Sequence, residues 1–205
     1  GSNVILVEQD FALGGSLLSV PMGAASDGWL AEIEADLRRM PNVRILTRTT
    51  AFGAYDGDVF GCVERFRDQV GDRSDRPRQR YWLIRTKKTV LATGAIERPL
   101  VFAGNDVPGV MLASAARRYL NRHAVQAGKT VVVSTNNDSA YAAAIDLARA
   151  GSRIVLCDMR TDIPPALSER ARAAGIELRF SSAVLKAVGR TRVREALVVS
   201  IDDGG

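Results

Sequence analysis

Residues 90–99 read VLATGAIERP, and no other run constrains the fold as much. Apolar Val90, Leu91 and Ala92 feed a Thr93-Gly94 corner, where glycine permits main-chain conformations and approaches that a side chain forbids. Pro99 then sets the direction of exit. A buried strand ending in such a corner can lay backbone against a dinucleotide, but a plain core strand ending in a glycine turn fits the same letters. The neighbouring segments decide between them.

The opening NVILVEQD predicts a short buried strand that ends in a carboxylate, Glu8. In a dinucleotide-binding βαβ unit the second strand ends in an acid that accepts hydrogen bonds from the adenosine ribose, about 20 residues after a G-x-G-x-x-G loop. That spacing places the loop before residue 1, so the chain reads as an excised piece that omits its first strand and phosphate-binding turn. Glu8 repels a 2′-phosphate and Gln9 adds no positive charge, which favours NAD or FAD over NADP. An ordinary acid at a strand end is the alternative.

Gly14, Gly15, Ser16 and Leu17 stand where a loop can fold back over a ligand. A helix follows, with Ser26 or Asp27 as N-cap, an apolar face of Trp29, Leu30, Ile33, Leu37 and Met40, and Pro41 as its stop. Its Trp and Met are expected in the core. A strand over 43–46 and the residues Thr49, Thr50 and Ala51 lead into a meander over 52–55, 59–66 and 81–85, with a turn at Asp56-Gly57. Acids and bases alternate over 68–80, a pattern of a solvated hairpin tip and not of a nucleic-acid patch, since no aromatics are interleaved.

Beyond the corner, a turn-rich connection reaches a helix over 114–123, with Ala115, Tyr119 and Leu120 inward and Arg117, Arg118 and Arg122 outward. A second βαβ begins at Lys129: strand 130–134, helix 140–150 capped by Asp138 or Ser139, and strand 153–157 ending in Asp158. Its loop, TNNDSA over 135–140, has no glycine, and Asp138 adds repulsion at the helix start, so weak or no dinucleotide binding is expected there. A helix from Pro164 to Ala174, a strand over 176–180, a hairpin turning near Gly189-Arg190 and a turn over 202–205 complete the chain.

This order is that of a two-dinucleotide-domain flavoprotein of the FAD/NAD(P)-binding type: a three-layer ββα α/β fold with a parallel sheet and a β-meander, truncated at its N-terminal strand. Residues 1–125 form the partial first domain with its meander and linker, and 126–205 a degenerate second one.

Size and charge fit a soluble globular protein, with 205 residues, 46% hydrophobic, and a net charge of +5 spread along the chain. No run approaches the roughly 18 apolar residues of a membrane span, and the N-terminus lacks the layout of a secretory signal, so a cytoplasmic setting without membrane or nucleic-acid partners is expected. Cys62 and Cys157 lie far apart, against a redox pair, a zinc site or an iron–sulfur cluster. His123 is the only histidine and has no evident partner, so no catalytic residue is assigned within the chain and no metal is expected.

The strings VEQDFALGGSLL, ATGAIERPLVFAGNDVPGVMLASAARRYLNRHAV and VVVSTNNDSAYAAAIDLARAG resemble the α subunits of heterotetrameric sarcosine oxidases along essentially the whole chain. Opine, proline and related amine dehydrogenases are similar through ATGA, ERP and PGVM but usually keep glycines in the second loop. The resemblance implies oxidative demethylation of sarcosine to glycine, hydrogen peroxide and a one-carbon unit for tetrahydrofolate. It implies FAD and FMN elsewhere in the complex, β, γ and δ subunits as partners, folate bound outside this stretch, and NAD held here. Glu8 would then take the ribose hydroxyls, with Gln9 beside it. Gly14, Gly15, Ser16 and Leu17 would line the cofactor, Thr50 and Ala51 would pass the adenine, and Ala92, Thr93 and Gly94 would meet the adenosine or pyrophosphate. The stretch by itself is expected to be inactive, with self-association as a way to cover its open sheet edge. A self-sufficient reductase and a non-catalytic scaffold are the readings from other classes.

Overall fold

The computed structural model describes residues 1–67 and 77–201, so most of the expected charged tip and the expected turn over 202–205 lie outside the described residues. The chain divides into two compact units, one of Gly1–Leu18 with Gly23–Gly94, the other of Ser19–Met22 with Ala95–Gly205. Apart from Ser19–Met22, the units part at Gly94.

In the first unit, β1 (Val4–Val7) pairs in parallel with β2 (Val43–Leu46), Val4 opposite Val43 and Val7 opposite Leu46, and α1 (Ala25–Arg39) connects them. The helix is started by Asp27 from inside its first turn: Oδ2 accepts the main-chain N–H of Gly23 at 2.7 Å, while Ala24 holds the cap position. A Glu34–Arg38 pair one turn apart supports its outer face.

The wide apolar face expected for α1 is not buried: Trp29, Ile33 and Met40 are 56%, 38% and 45% exposed, and only Leu30 and Leu37 are half-buried. Two strands about 5 Å apart are narrower than a helix about 10 Å across, so the sheet meets only one stripe of it.

A meander follows, β3 (Thr49–Tyr55), β4 (Val59–Arg65) and β5 (Gln79–Arg85), antiparallel in the order β3-β4-β5, with Ala51 opposite Cys62 and Cys62 opposite Trp82. Its turn is made by Gly57 and Asp58, both at positive φ (75° and 57°). A register shift between Ala51 and Gly53 marks a bulge in β3. The buried residues among those described in this unit are few: Leu13, Leu46, Thr49, Gly61 and Cys62.

The strand expected over residues 90–92 does not form. This run is extended without a hydrogen-bonded neighbour, and Val90 and Leu91 are 88% and 78% exposed. Its composition suits a buried strand, but a strand exists only where another offers it a ladder, and β1 is paired solely with β2 among the described residues.

The second unit has the larger core. A parallel sheet of β6 (Thr130–Thr135), β7 (Arg153–Asp158) and β8 (Glu177–Arg179) runs in that order, with α3 (Ser139–Arg149) and α4 (Pro165–Ala173) as its connections. Tyr141, Ala144, Ile145 and Leu147 of α3 meet Ile154 and Leu156 of β7, all 3% exposed or less. Gly151 and Gly175, at φ of 93° and 76°, end the two helices in the left-handed conformation.

The helix before this sheet, α2 (Ala113–His123), is started from a distance, since Glu97 accepts the N–H groups of Ala113 (3.2 Å) and Ser114 (2.8 Å). Its inward face is the expected one in part: Leu120 packs against the core, but Ala116 is buried and Tyr119 is 50% exposed. Arg117 turns in as well, because buried Asp146 of α3 accepts its Nε at 2.6 Å and Asn121 Nδ2 at 3.0 Å. A hairpin of β9 (Ser182–Gly189) and β10 (Val193–Ser200) closes the unit.

Candidate functional site

The carboxylate that the sequence placed at the end of the first strand stands there. Glu8 follows β1, half-buried, its main-chain N–H donating to Leu46 (2.9 Å) and its carbonyl accepting from Thr49 (2.9 Å). Glu8 is thus clasped between the end of β2 and the start of β3. Its Oε1 accepts the main-chain N–H of Asp10 at 2.8 Å, which orients the carboxylate, while Oε2 makes no hydrogen bond among the described residues. One oxygen is therefore fixed by the protein and one is available to a hydroxyl. Gln9 is exposed.

The same clasp brings in Thr50 and Ala51. Buried Thr49 carries the bond to Glu8, and Thr50 and Ala51 follow it along β3, half-buried and exposed respectively. A groove of about 480 Å³ lies beside Thr50, lined by Phe52, Val63, Arg65, Arg67, Arg78 and Gln79. Thr49 and Arg65 were missed by the sequence reading. The Thr-Thr pair opening the meander is the signal for Thr49, and nothing in the letters marks Arg65.

Gly14 and Gly15 have different reasons to be glycine. Gly14 has φ of 126°, and a Cβ there would stand 2.6 Å from Leu30 Cδ2, so its bareness serves packing against α1. Gly15 has φ of 53°, and a Cβ there would meet nothing within 4 Å. It opens a 3₁₀ turn, Gly15–Ser19, in which the N–H of Leu17 donates to Gly14 at 3.0 Å, with Ser16 exposed and Leu17 half-buried.

The third group is not joined to the others. Ala92, Thr93 and Gly94 are exposed and make no hydrogen bond among the described residues. Gly94 does form the expected corner, with φ of 70° and open space where a Cβ would stand.

No protein-family model matches the chain. Among curated proteins, sarcosine oxidase subunit alpha of Rhizobium meliloti is 44% identical over 100% of this chain, and that of Corynebacterium sp. strain P-1 is 40% identical over 90% of it. The chain is homologous, end to end, to a stretch of the sarcosine oxidase α subunits. It spans about a fifth of their length, 19% and 20%.

Solved structures share the fold at lower identity. Thioredoxin reductase from T. acidophilum aligns over 99% of this chain and 72% of its own, with a TM-score of 0.64 and 13% identity. An NAD-dependent persulfide reductase from A. fulgidus aligns over 96% and 38% (TM-score 0.61, 16% identity), and L-proline dehydrogenase from P. horikoshii over 98% and 36% (TM-score 0.59, 21% identity). The chain thus shares the α/β fold of these reductase and dehydrogenase structures, with a parallel sheet and an antiparallel meander.

Proposed function

We propose that this chain is the NAD-holding, subunit-docking portion of the α subunit of a sarcosine oxidase, and that its first unit grips the adenosine half of the cofactor. The observation that carries the reading is the Glu8 carboxylate: it is aimed by the Asp10 N–H, clasped to Leu46 and Thr49, and keeps Oε2 available. A ribose hydroxyl donating to Oε2 fits this geometry, and a 2′-phosphate in the same place meets a like charge. Thr50 and Ala51 then lie within the same clasp for the adenine, and Gly15 leaves a bare approach for the cofactor. Ala92, Thr93 and Gly94 join the pocket only when residues 90–92 find a strand partner. Residues 1–125 would act as one functional domain in that assembled state.

NAD, when bound, supplies a hydride acceptor; the residues named here bind and orient, and none is assigned a proton transfer. In the assembled enzyme the amine chemistry would belong to the FAD and FMN of the complex, giving glycine, hydrogen peroxide and a one-carbon unit passed to tetrahydrofolate. The β, γ and δ subunits would be the partners, in the cytoplasm.

The test is mass spectrometry of the nucleotide released on denaturing the purified enzyme complex. NAD without NADP is expected from the parent protein, and Glu8→Ala should lower its occupancy about tenfold, the loss of one charge-assisted hydrogen bond. NADP in the parent protein, or unchanged occupancy in Glu8→Ala, refutes the assignment.

A further inference from the structure

The strand ends of the second unit hold a polar cluster that the NAD reading does not use. In a dinucleotide-binding βαβ, the loop after the first strand admits pyrophosphate to a helix N-terminus, and the acid after the second strand accepts ribose hydroxyls. Both places are filled here by the chain's own side chains. Asp158, wholly buried at the end of β7, accepts four hydrogen bonds: at Oδ2 from Tyr141 Oη (2.8 Å) and Arg160 Nη2 (2.8 Å), and at Oδ1 from the Arg160 main-chain N–H and Nε (both 3.0 Å). A carboxylate offers about four lone-pair positions, so none remains for a ribose.

Arg160 also reaches across to the other loop, its Nη1 donating to Asp138 Oδ1 at 2.7 Å, directly before α3. That loop is closed on itself. Thr135 Oγ1 donates to the Asn137 carbonyl (2.9 Å), and Asn137 Oδ1 accepts the N–H (2.9 Å) and hydroxyl (2.6 Å) of Ser139. Asp138, one of the two residues the sequence suggested, holds the cap position of α3, while Asn137 just before it accepts the first N–H of the helix.

We propose that the second unit is a nucleotide-binding fold closed from within: Arg160 is a resident counter-ion that bridges Asp138 and Asp158, clasps the loops after β6 and β7, and excludes a dinucleotide. A pyrophosphate entering there would face Asp138, and a ribose would have to displace Arg160 from a buried carboxylate. The inference stands whether or not the first unit holds NAD.

Hydrogen-exchange mass spectrometry of the purified enzyme with and without millimolar NADH tests it. Exchange in peptides covering 134–140 and 157–161 is expected to be slow and unaffected by NADH. Arg160→Ala should speed exchange in both by about tenfold or more, while peptides of the first unit stay as they were. Asp138→Asn, which removes the charge from the exposed arm of the clasp and weakens it, should speed 134–140 alone. NADH protection of either segment, or unchanged exchange in Arg160→Ala, overturns the proposal. Should Arg160→Ala fail to fold, the unsubstituted protein with NADH and Asp138→Asn decide it.

Discussion

Asp146 and Asp158 are both buried carboxylates in the second unit, and their partners give them different sensitivities. Asp146 holds α2 to α3 through Arg117 and Asn121, with its side chain 7% exposed and that of Arg117 25% exposed. Removing one member of a buried pair leaves the other's charge uncompensated, so Asp146→Ala should cost about 3 kcal/mol, read as a lower urea midpoint. Arg117→Met should cost at least as much, because the carboxylate it leaves is the more buried of the two charges and keeps only Asn121. Asp158 responds to pH. Burial by itself raises its carboxyl, but the hydrogen bonds from Arg160 and Tyr141 outweigh that and hold it below the ordinary carboxylate range. The Tyr141 hydroxyl is pushed up by burial and by its bond to Asp158. A depressed carboxyl gives stability that is fully present above the unfolded value of about 3.9 and lost as pH falls through the lower folded value. Urea midpoints should therefore drop below about pH 4, and Asp158→Asn should flatten that part of the profile.

At the level of elements, Gly14 and Gly15 separate two explanations that look identical as letters. Gly14→Ala forces a Cβ against Leu30 Cδ2 at 2.6 Å and strains a φ of 126°, whereas Gly15→Ala meets only the milder strain of φ 53° in open space. The first should cost about 2–3 kcal/mol and the second about 1 kcal/mol in denaturant unfolding. Equal costs would return Gly14 to a ligand-facing role. The strands, α3, α4 and the meander were legible because apolar period and turn residues act locally, and Glu8 was legible because a strand end fixes where its side chain stands. The strand expected over 90–92 and the apolar face of α1 were not, since pattern marks which residues suit burial but a neighbour must supply it. The Tyr141–Asp158–Arg160–Asp138 cluster was illegible for another reason: α3 must pack on β7 before its Tyr meets the acid. Of its members only Asp158 and Asp138 were marked beforehand, as a strand-end acid and a charge at a helix start.

For the whole molecule, the difference between the two units sets the expected behaviour in solution. The second unit buries an extensive core behind a three-stranded sheet, while the first leaves Val4 and Ile5 of β1 at 46% and 44% exposure on a two-stranded parallel sheet. Parallel strands are stable when both faces are covered, and an apolar strand edge is a template for another chain. No helix among the described residues is long and apolar enough to cross a membrane, so a bilayer-spanning helix does not account for this surface. Expressed by themselves, these 205 residues should therefore self-associate through the first unit. Sedimentation velocity should show a concentration-dependent shift above monomer, and Ile5→Lys, which places a charge on the strand, should restore the monomer without loss of the second unit's unfolding transition. A parent chain that stays monomeric at high concentration, or an Ile5→Lys variant that associates equally, would place the association elsewhere or remove it. The same substitution within the full enzyme should behave oppositely if β1 is covered there: it would lower assembly yield, because a lysine would then be buried against apolar neighbours.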